Sequence, residues 1–337
     1  MGGARRIRVG VVGAGNMGAH HARAYASLPH LCELVAVHDP NSMRARAVAA
    51  RTGAFVCASL DELLDRVDAV SIASPSALHV EHTVRALERG CDVLVEKPLA
   101  LGVAQARLVE QAAAACGPRA IVQVGHIEHF NPAVRELRKL VGDRALVALE
   151  MQRLSPWDGR IGDSDVIQDL MLHDIHVLLS LARAPLVHAA AVARSVRSAS
   201  RADHAVATFA FADGLIAALC ASRVTEEKVR RLAVTTDDSY VTLDYVRRTI
   251  EICRSTSLRS DRRDSRTYRQ ESIVERVFVP PEEPLVAQLA SFLECVRERR
   301  SPEVGIAEGI RCLEVVERLQ RSARAAIAAV DGEALAA

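Results

Sequence analysis

Lysine is nearly missing from this chain. Of its 43 basic residues only Lys97, Lys139 and Lys228 are lysines, and the rest are arginines. Where arginine is the default cation, lysine is kept mainly where a guanidinium will not serve. Aromatic residues are also scarce, at 3%, which leaves little for stacking nucleic-acid bases. The formal net charge of +1 is too small for a dedicated binder of nucleic acid or of an anionic membrane. No apolar run is long enough to span a bilayer. No secretory leader is visible, since a strand pattern begins within a few residues of Met1. The eight cysteines are scattered, with no C-x-x-C pair and no metal-ligand spacing. They read as reduced thiols in a cytoplasmic protein. The basic run Arg259, Arg262, Arg263, Arg266 and Arg269 is interleaved with Asp and Ser and reads as a solvated loop.

What is present is a large apolar content, 50% of 337 residues, enough for two domains. Ile7 to Val12 reads as a buried strand. Gly13, Gly15 and Gly18 follow in G-x-G-x-x-G spacing, with Asn16 in the turn, and a helix opens at Met17. In such a turn the first glycine permits the tight bend. The second lets backbone approach a pyrophosphate, and the third lets helix and strand pack closely. The N–H groups of the first helical turn then face the phosphates. A second strand, Leu34 to His38, ends in Asp39. An acid there accepts ribose hydroxyls and repels a 2′-phosphate, so NAD is expected over NADP. Arg44, from the next helix, is the residue that could reverse this. The alternative is a Rossmann unit that binds no nucleotide.

Alternation of strand and helix continues to about residue 124, with strands near Phe55, Ala69 to Ile72, Asp92 to Val95 and Ile121 to Val124. Crossover helices between strands make a doubly wound parallel sheet, whose ligands lie at the carboxyl ends of the strands. Ser74, Pro75, Glu96 and Lys97 fall at such ends, and His79 opens a helix beside them. An ammonium can give up its proton in a desolvating site whereas a guanidinium cannot. Lys97 is thus either an acid/base group or a surface lysine in a turn. The expected division is a cofactor domain over 1–124 and an α+β domain over 125–337. The last helices, from Pro284 and Ala307, are free to pack back on the first. The tail after Val330 reads as frayed.

The second half carries a long strand, Ala145 to Arg153, and a loop with Trp157, the one tryptophan. A helix and several strands without crossover helices follow, so the sheet is predominantly antiparallel and open. FADG before Leu215 is a hairpin signal. Arg254 to Glu271 is polar and poorly patterned, and reads as a hairpin insertion or a loop. Strands such as VATFAFA and LIAALCA are apolar on both faces, which calls for cover from a second copy. The helix VIQDLMLHDIHVLLSL is apolar nearly all round, hence buried. On it Asp169, His173 and His176 share one face, which fits an acid/base pair, a structural Asp–His pair or a metal site. Asp174 is expected to cap or pair locally. At the domain junction, His126, Glu128, His129 and Asn131 either touch substrate or tie the hinge. Arg153, Arg160 and Arg223 are candidates for holding a diphosphate. His20 and His21 read as helix-surface residues.

Taken together, GAGNMG, the EKP at Glu96 to Pro98 and the D-x-x-x-H at Asp169 to His173 resemble the Gfo/Idh/MocA family, in its order and spacing and over nearly the whole chain. The resemblance implies an NAD-dependent oxidoreductase, assembled as dimers or tetramers, with the family's lysine, aspartate and histidine at Lys97, Asp169 and His173. The last position of the family's H-x-x-D is His176 here. VQVGHIEHFNPAV, RLSPW and DVIQDLMLHDIHVLLSL are similar to a branch that oxidises carbon 3 of a nucleotide-linked amino sugar such as UDP-N-acetylglucosamine, ahead of transamination. Lys97, His126, Glu128, Asn131, Arg153, Trp157, Asp169 and His173 are then the expected substrate contacts. A dehydrogenase of a free sugar or an inositol-type cyclitol is the alternative. A non-catalytic NAD-binding regulator is the reading from another class.

Overall fold

In a computed structural model, which describes residues 6–118, 120–158, 164–197, 201–260 and 268–336, strand and helix alternate from the first described residues. The order is β1 (Ile7–Val12), α1 (Asn16–Ala26), β2 (Cys32–His38), α2 (Ser42–Thr52), β3 (Phe55–Val56), α3 (Leu60–Leu64), β4 (Ala69–Ile72), α4 (His79–Glu88), β5 (Asp92–Glu96), α5 (Val103–Ala115) and β6 (Val122–Gly125). All pairings are parallel, in the order β3-β2-β1-β4-β5-β6. The chain starts in the middle of the sheet and winds outward both ways. That places a topological switch point at β1 and β4, where open α/β sheets bind ligands.

After a short 3-10 turn, Ile127–Phe130, come α6 (Pro132–Val141), β7 (Leu146–Leu154), one turn of π-helix at Ile167–Met171, and α7 (Leu172–Leu181). Seven strands follow: β8 (Leu186–Arg194), β9 (His204–Phe211), β10 (Ile216–Ser222), β11 (Val229–Thr236), β12 (Tyr240–Asp244), β13 (Thr249–Ser260) and β14 (Tyr268–Val277). Two helices end the chain, α8 (Pro284–Glu298) and α9 (Ile306–Ala336). Helix α9 continues past Val330, where the sequence reads as frayed.

The chain divides into two units, Met1–Asn131 with Glu282–Glu314, and Pro132–Pro281 with Val315–Ala337. The first unit therefore runs past the junction at Gly125 and takes α8 as well. Val9, Val11, Val70, Ile72, Val93 and Val95 are fully enclosed in its sheet, as expected for strands covered on both faces. One apolar layer joins the sheet to α3, α4 and α5, and the other joins it to α1, α2 and α8. Phe292 and Leu289 of α8 pack in the same layer as Tyr25 of α1.

The second unit holds an eight-stranded sheet, β14-β13-β12-β11-β7-β10-β9-β8, with only β7 and β10 parallel. The FADG signal is the β9–β10 turn, where Gly214 takes φ +92° and Phe211 N–H donates to Leu215 O at 2.9 Å. The polar stretch from Arg254 is in part strand: β13 and β14 pair antiparallel as an edge hairpin. Arg262, Arg263 and Arg266 lie outside the described residues. One face of the sheet buries Leu149, Met151, Ala207, Phe209, Leu219, Leu232 and Val234. The opposite face exposes Val192, Val206, Ile216 and Tyr240. Val206 is in register with Val192 on one side and Cys220 on the other. Among the described residues no helix is long and apolar enough to cross a membrane.

Candidate active site

In the first unit the glycine turn has the geometry its spacing implies. Gly13 takes φ +90°, and a Cβ there would press on the Ala73 carbonyl at 2.6 Å. A Cβ on Gly18 would run into the Gly13 carbonyl oxygen. A Cβ on Gly15 would meet no protein atom within 4 Å, so the backbone is approachable there. Helix α1 has Gly15 at its N-cap and no side-chain cap. Its first-turn N–H groups, from Asn16, Met17 and Gly18, are the donors that a pyrophosphate satisfies at such helix ends. Asn16 and Met17 are exposed. Asp39 closes β2, and its carboxylate accepts Ala14 N–H at 2.7 Å and Asn41 N–H at 2.7 Å. The acid is thereby held beside the turn. Arg44 is exposed on the first turn of α2. These residues fit a dinucleotide, whose nicotinamide supplies a hydride acceptor when bound.

Ser74 and Pro75 follow β4. The Ser74 hydroxyl meets His82 Nδ1 at 3.0 Å. His79 is buried, with Nδ1 2.7 Å from the Pro98 carbonyl and Nε2 2.9 Å from the Ser74 carbonyl. Both ring nitrogens face backbone, so His79 ties the chain after β4 to the chain after β5. Burial, the largest influence, lowers its pKa. Lys97 follows β5, partly exposed, with a cis bond to Pro98. Glu96 is buried, and its carboxylate accepts from His21 Nε2 at 2.9 Å and from Lys97 N–H at 3.3 Å. Both carboxylate oxygens are thus turned to protein partners. His21 is fully enclosed, which corrects its reading as a helix-surface residue. On α1 it shares a face with Gly18 and Tyr25, at spacings of three and four residues, and that face is buried. The apolar periodicity was the available signal.

His126, after β6, is enclosed, and its pKa is pushed down to about 3 by burial first, then by the charge of Lys97 and by His129. Its imidazole is therefore neutral in the field of Lys97. Glu128 and Asn131 meet each other, Asn131 Nδ2 donating to Glu128 Oε2 at 3.0 Å. His129 bonds Glu303 at 2.9 Å. Both arrangements lie within the first unit.

In the second unit the helix after residue 165 is not α throughout. Asp169 sits in the π-turn, and His173 in the first turn of α7. Such turns recur at functional sites because they re-aim one side chain without ending the helix. Nothing in the sequence signals it. Asp169 and His173 are partly exposed, whereas His176 is buried. Among the described residues no group of three or more His, Cys, Asp or Glu is arranged to hold a metal ion. Arg153 and Asp174 form a buried ion pair, with Nη2–Oδ1 at 2.7 Å and Nε–Oδ2 at 2.9 Å. Tyr245 also lies beneath the Arg153 guanidinium, at 5.5 Å. The pair holds β7 against α7. Arg223 is likewise taken, by Asp203 at 3.0 Å and by the Ser164 carbonyl at 3.0 Å. Arg160 lies outside the described residues. Trp157 is exposed, with Arg223 and Arg197 guanidinium groups 5.7 and 5.8 Å from its ring.

The Gfo/Idh/MocA model, described as an oxidoreductase family with an NAD-binding Rossmann fold, matches residues 7–126. UDP-N-acetylglucosamine 3-dehydrogenase of Acidithiobacillus ferrooxidans is 36% identical over 250 residues, 73% of this chain and 76% of that protein. A solved structure of that enzyme superposes with a TM-score of 0.86 at 31% identity, covering 96% of this chain and 99% of the other. Inositol 2-dehydrogenase 3 of Saccharopolyspora erythraea is 33% identical over 204 residues, 59% of this chain and 60% of its own. Levoglucosan dehydrogenase, solved with NADH and levoglucosan, shares the fold, with a TM-score of 0.80 at 18% identity over 95% of this chain and 98% of its own. Likeness of that extent, with the family model running across the glycine turn and Lys97, makes this chain a member of the Gfo/Idh/MocA oxidoreductase family.

Proposed function

We propose that the chain is an NAD-dependent sugar dehydrogenase. It moves a hydride between a secondary alcohol of a pyranose ring and nicotinamide, with carbon 3 of a nucleotide-linked amino sugar such as UDP-N-acetylglucosamine as the favoured position. The observation that carries this is the likeness to UDP-N-acetylglucosamine 3-dehydrogenase along nearly the whole chain. Oxidation of a ring alcohol needs a base for the hydroxyl proton and firm placement of the carbinol C–H. The Lys97 amine takes that proton as the carbinol hydride leaves, and a 3-keto sugar results. His173 shares the reacting hydroxyl, and Asp169 orients it or balances its charge. Glycines 13, 15 and 18 with the first turn of α1 hold the pyrophosphate, and Asp39 accepts the ribose hydroxyls. NAD should therefore bind at least tenfold more tightly than NADP, about 1.4 kcal/mol. Titration of both cofactors checks this, and equal binding would give Arg44 the deciding role.

A cyclitol substrate is the second reading, favoured by the identity to inositol dehydrogenases. A regulator without activity is disfavoured by the joint presence of Lys97, Asp169 and His173. We place the enzyme in the cytoplasm, where its eight free cysteines stay thiols, and assign it a homodimer or homotetramer built on the exposed sheet face of the second unit. A panel of UDP-N-acetylglucosamine, free hexoses and inositols, read by reduced-nicotinamide absorbance, tests the function. Reduction with the nucleotide sugar alone is the expected result. Reduction with inositol alone would establish the second reading, and none with any alcohol would contradict both.

A further inference from the structure

Beneath Lys97 lies a line of polar side chains in the interior of the first unit. Tyr25 Oη is 2.7 Å from Ser71 Oγ, Ser71 Oγ is 3.1 Å from His21 Nδ1, and His21 Nε2 is 2.9 Å from Glu96 Oε1. Glu96 Oε2 then accepts the Lys97 N–H. Every one of these side chains is at least nine-tenths buried. Burying four polar side chains is costly unless each is satisfied. One assignment of protons satisfies all of them with a neutral imidazole. Tyr25 donates to Ser71, Ser71 donates to Nδ1, Nε2–H donates to Glu96, and the Lys97 backbone donates to the other carboxylate oxygen.

The sheet is built around this carboxylate. Glu96 on β5 is in register with Gly125 on β6. A Cβ at Gly125 would lie 2.9 Å from Glu96 Oε1 and 3.0 Å from its Cα. Only a glycine leaves the carboxylate room where it now sits.

The line is poorly suited to carrying a proton away from Lys97. It ends inside the protein on Tyr25, whose pKa is raised mainly by burial. A hydroxyl that stays protonated and enclosed has no route to hand a proton to solvent. The geometry points instead to a positioning role: His21, anchored by Ser71 and Tyr25, sets the Glu96 carboxylate, and Glu96 sets the backbone from which the Lys97 amine projects. Glu96 and His21 are positioning residues for Lys97. The functional weight of this assignment rests on the dehydrogenase reading, while the placement of Lys97 can be measured without it.

The scarcity of lysine supplies the measurement. Acylation of the whole protein by an amine-selective reagent, followed by peptide mass spectrometry, reads Lys97 against Lys139 and Lys228 as internal controls. In His21→Phe, the Lys97 rate relative to the controls should change about threefold or more and kcat should fall about 10- to 100-fold, because small displacements of a reacting group cost that much. NAD affinity should stay near that of the parent chain, since the glycine turn is untouched. His21→Gln keeps an N–H for Glu96 and should restore both readouts. A purely structural role would move stability but not the Lys97 ratio, and would not be rescued by glutamine. If His21→Phe does not fold, Ser71→Ala carries the test, with a change in the same direction and smaller. A folded variant, His21→Phe or Ser71→Ala, with the parental Lys97 ratio overturns the inference. Parent protein that oxidises no ring alcohol would instead sink the dehydrogenase reading, and the labelling ratio would still decide the positioning.

Discussion

At the scale of single residues, burial determines which imidazoles can be charged. His126 is held at about 3, far below the ordinary 6.5, by its enclosure and by Lys97 nearby. His79 and His82 are lowered too, chiefly by burial. A histidine whose pKa is depressed in the folded state binds its proton more readily when unfolded. Its contribution is complete above about pH 6.5 and is lost as pH falls toward 3. His126→Asn should therefore lose less stability than the parent between about pH 6 and pH 4, by roughly 2 kcal/mol, in denaturant unfolding at the two pH values. An identical pH dependence in both would mean that His126 is not the enclosed neutral group described. Lys97 stands out in the sequence because lysine is so rare, and its place at the carboxyl end of β5 is legible from the apolar run before it. The covered place of His21 is marked in the sequence only by its spacing from Gly18 and Tyr25, since adjacent histidines otherwise look alike. That Arg153 and Arg223 each sit beside a buried acid is not legible in the sequence, because a basic residue carries no mark of a partner elsewhere in the chain. Asp174 and Asp203 are those acids.

At the scale of elements, strand and helix positions in both units were legible from hydrophobic periodicity, and most boundaries fall within two residues of the reading. The exceptions have physical causes. The π-turn at Ile167–Met171 arises from backbone geometry that apolar spacing does not encode. The β13–β14 hairpin lacks alternation because it is a polar sheet edge. The Arg153–Asp174 pair joins β7 to α7, the helix that carries His173. Removing one partner of a buried pair leaves the other charge unsatisfied, so Asp174→Ala should cost about 3–5 kcal/mol in unfolding free energy. A loss below about 1 kcal/mol in the denaturant midpoint, the value typical of exposed pairs, would show that the pair is not enclosed as described.

At the scale of the whole molecule, the exposed face of the eight-stranded sheet is the feature that a single chain leaves without an explanation. Val192, Val206 and Ile216 are 60, 37 and 56% exposed on adjacent strands. Contiguous apolar surface of this kind is usually covered by a partner. Sedimentation at micromolar concentration should show a dimer or tetramer, and Ile216→Glu should shift it toward monomer. A parent protein that sediments as a monomer would contradict this assembly. In the proposed reaction Lys97 takes the proton as a ring alcohol reduces nicotinamide. Turnover of Lys97→Arg, compared with parent and Lys97→Ala at saturating NAD, tests it most directly. Guanidinium keeps the charge but cannot take the proton, so both variants should fall about 100- to 10,000-fold in kcat with NAD affinity nearly unchanged. Full activity in Lys97→Arg would contradict the mechanism.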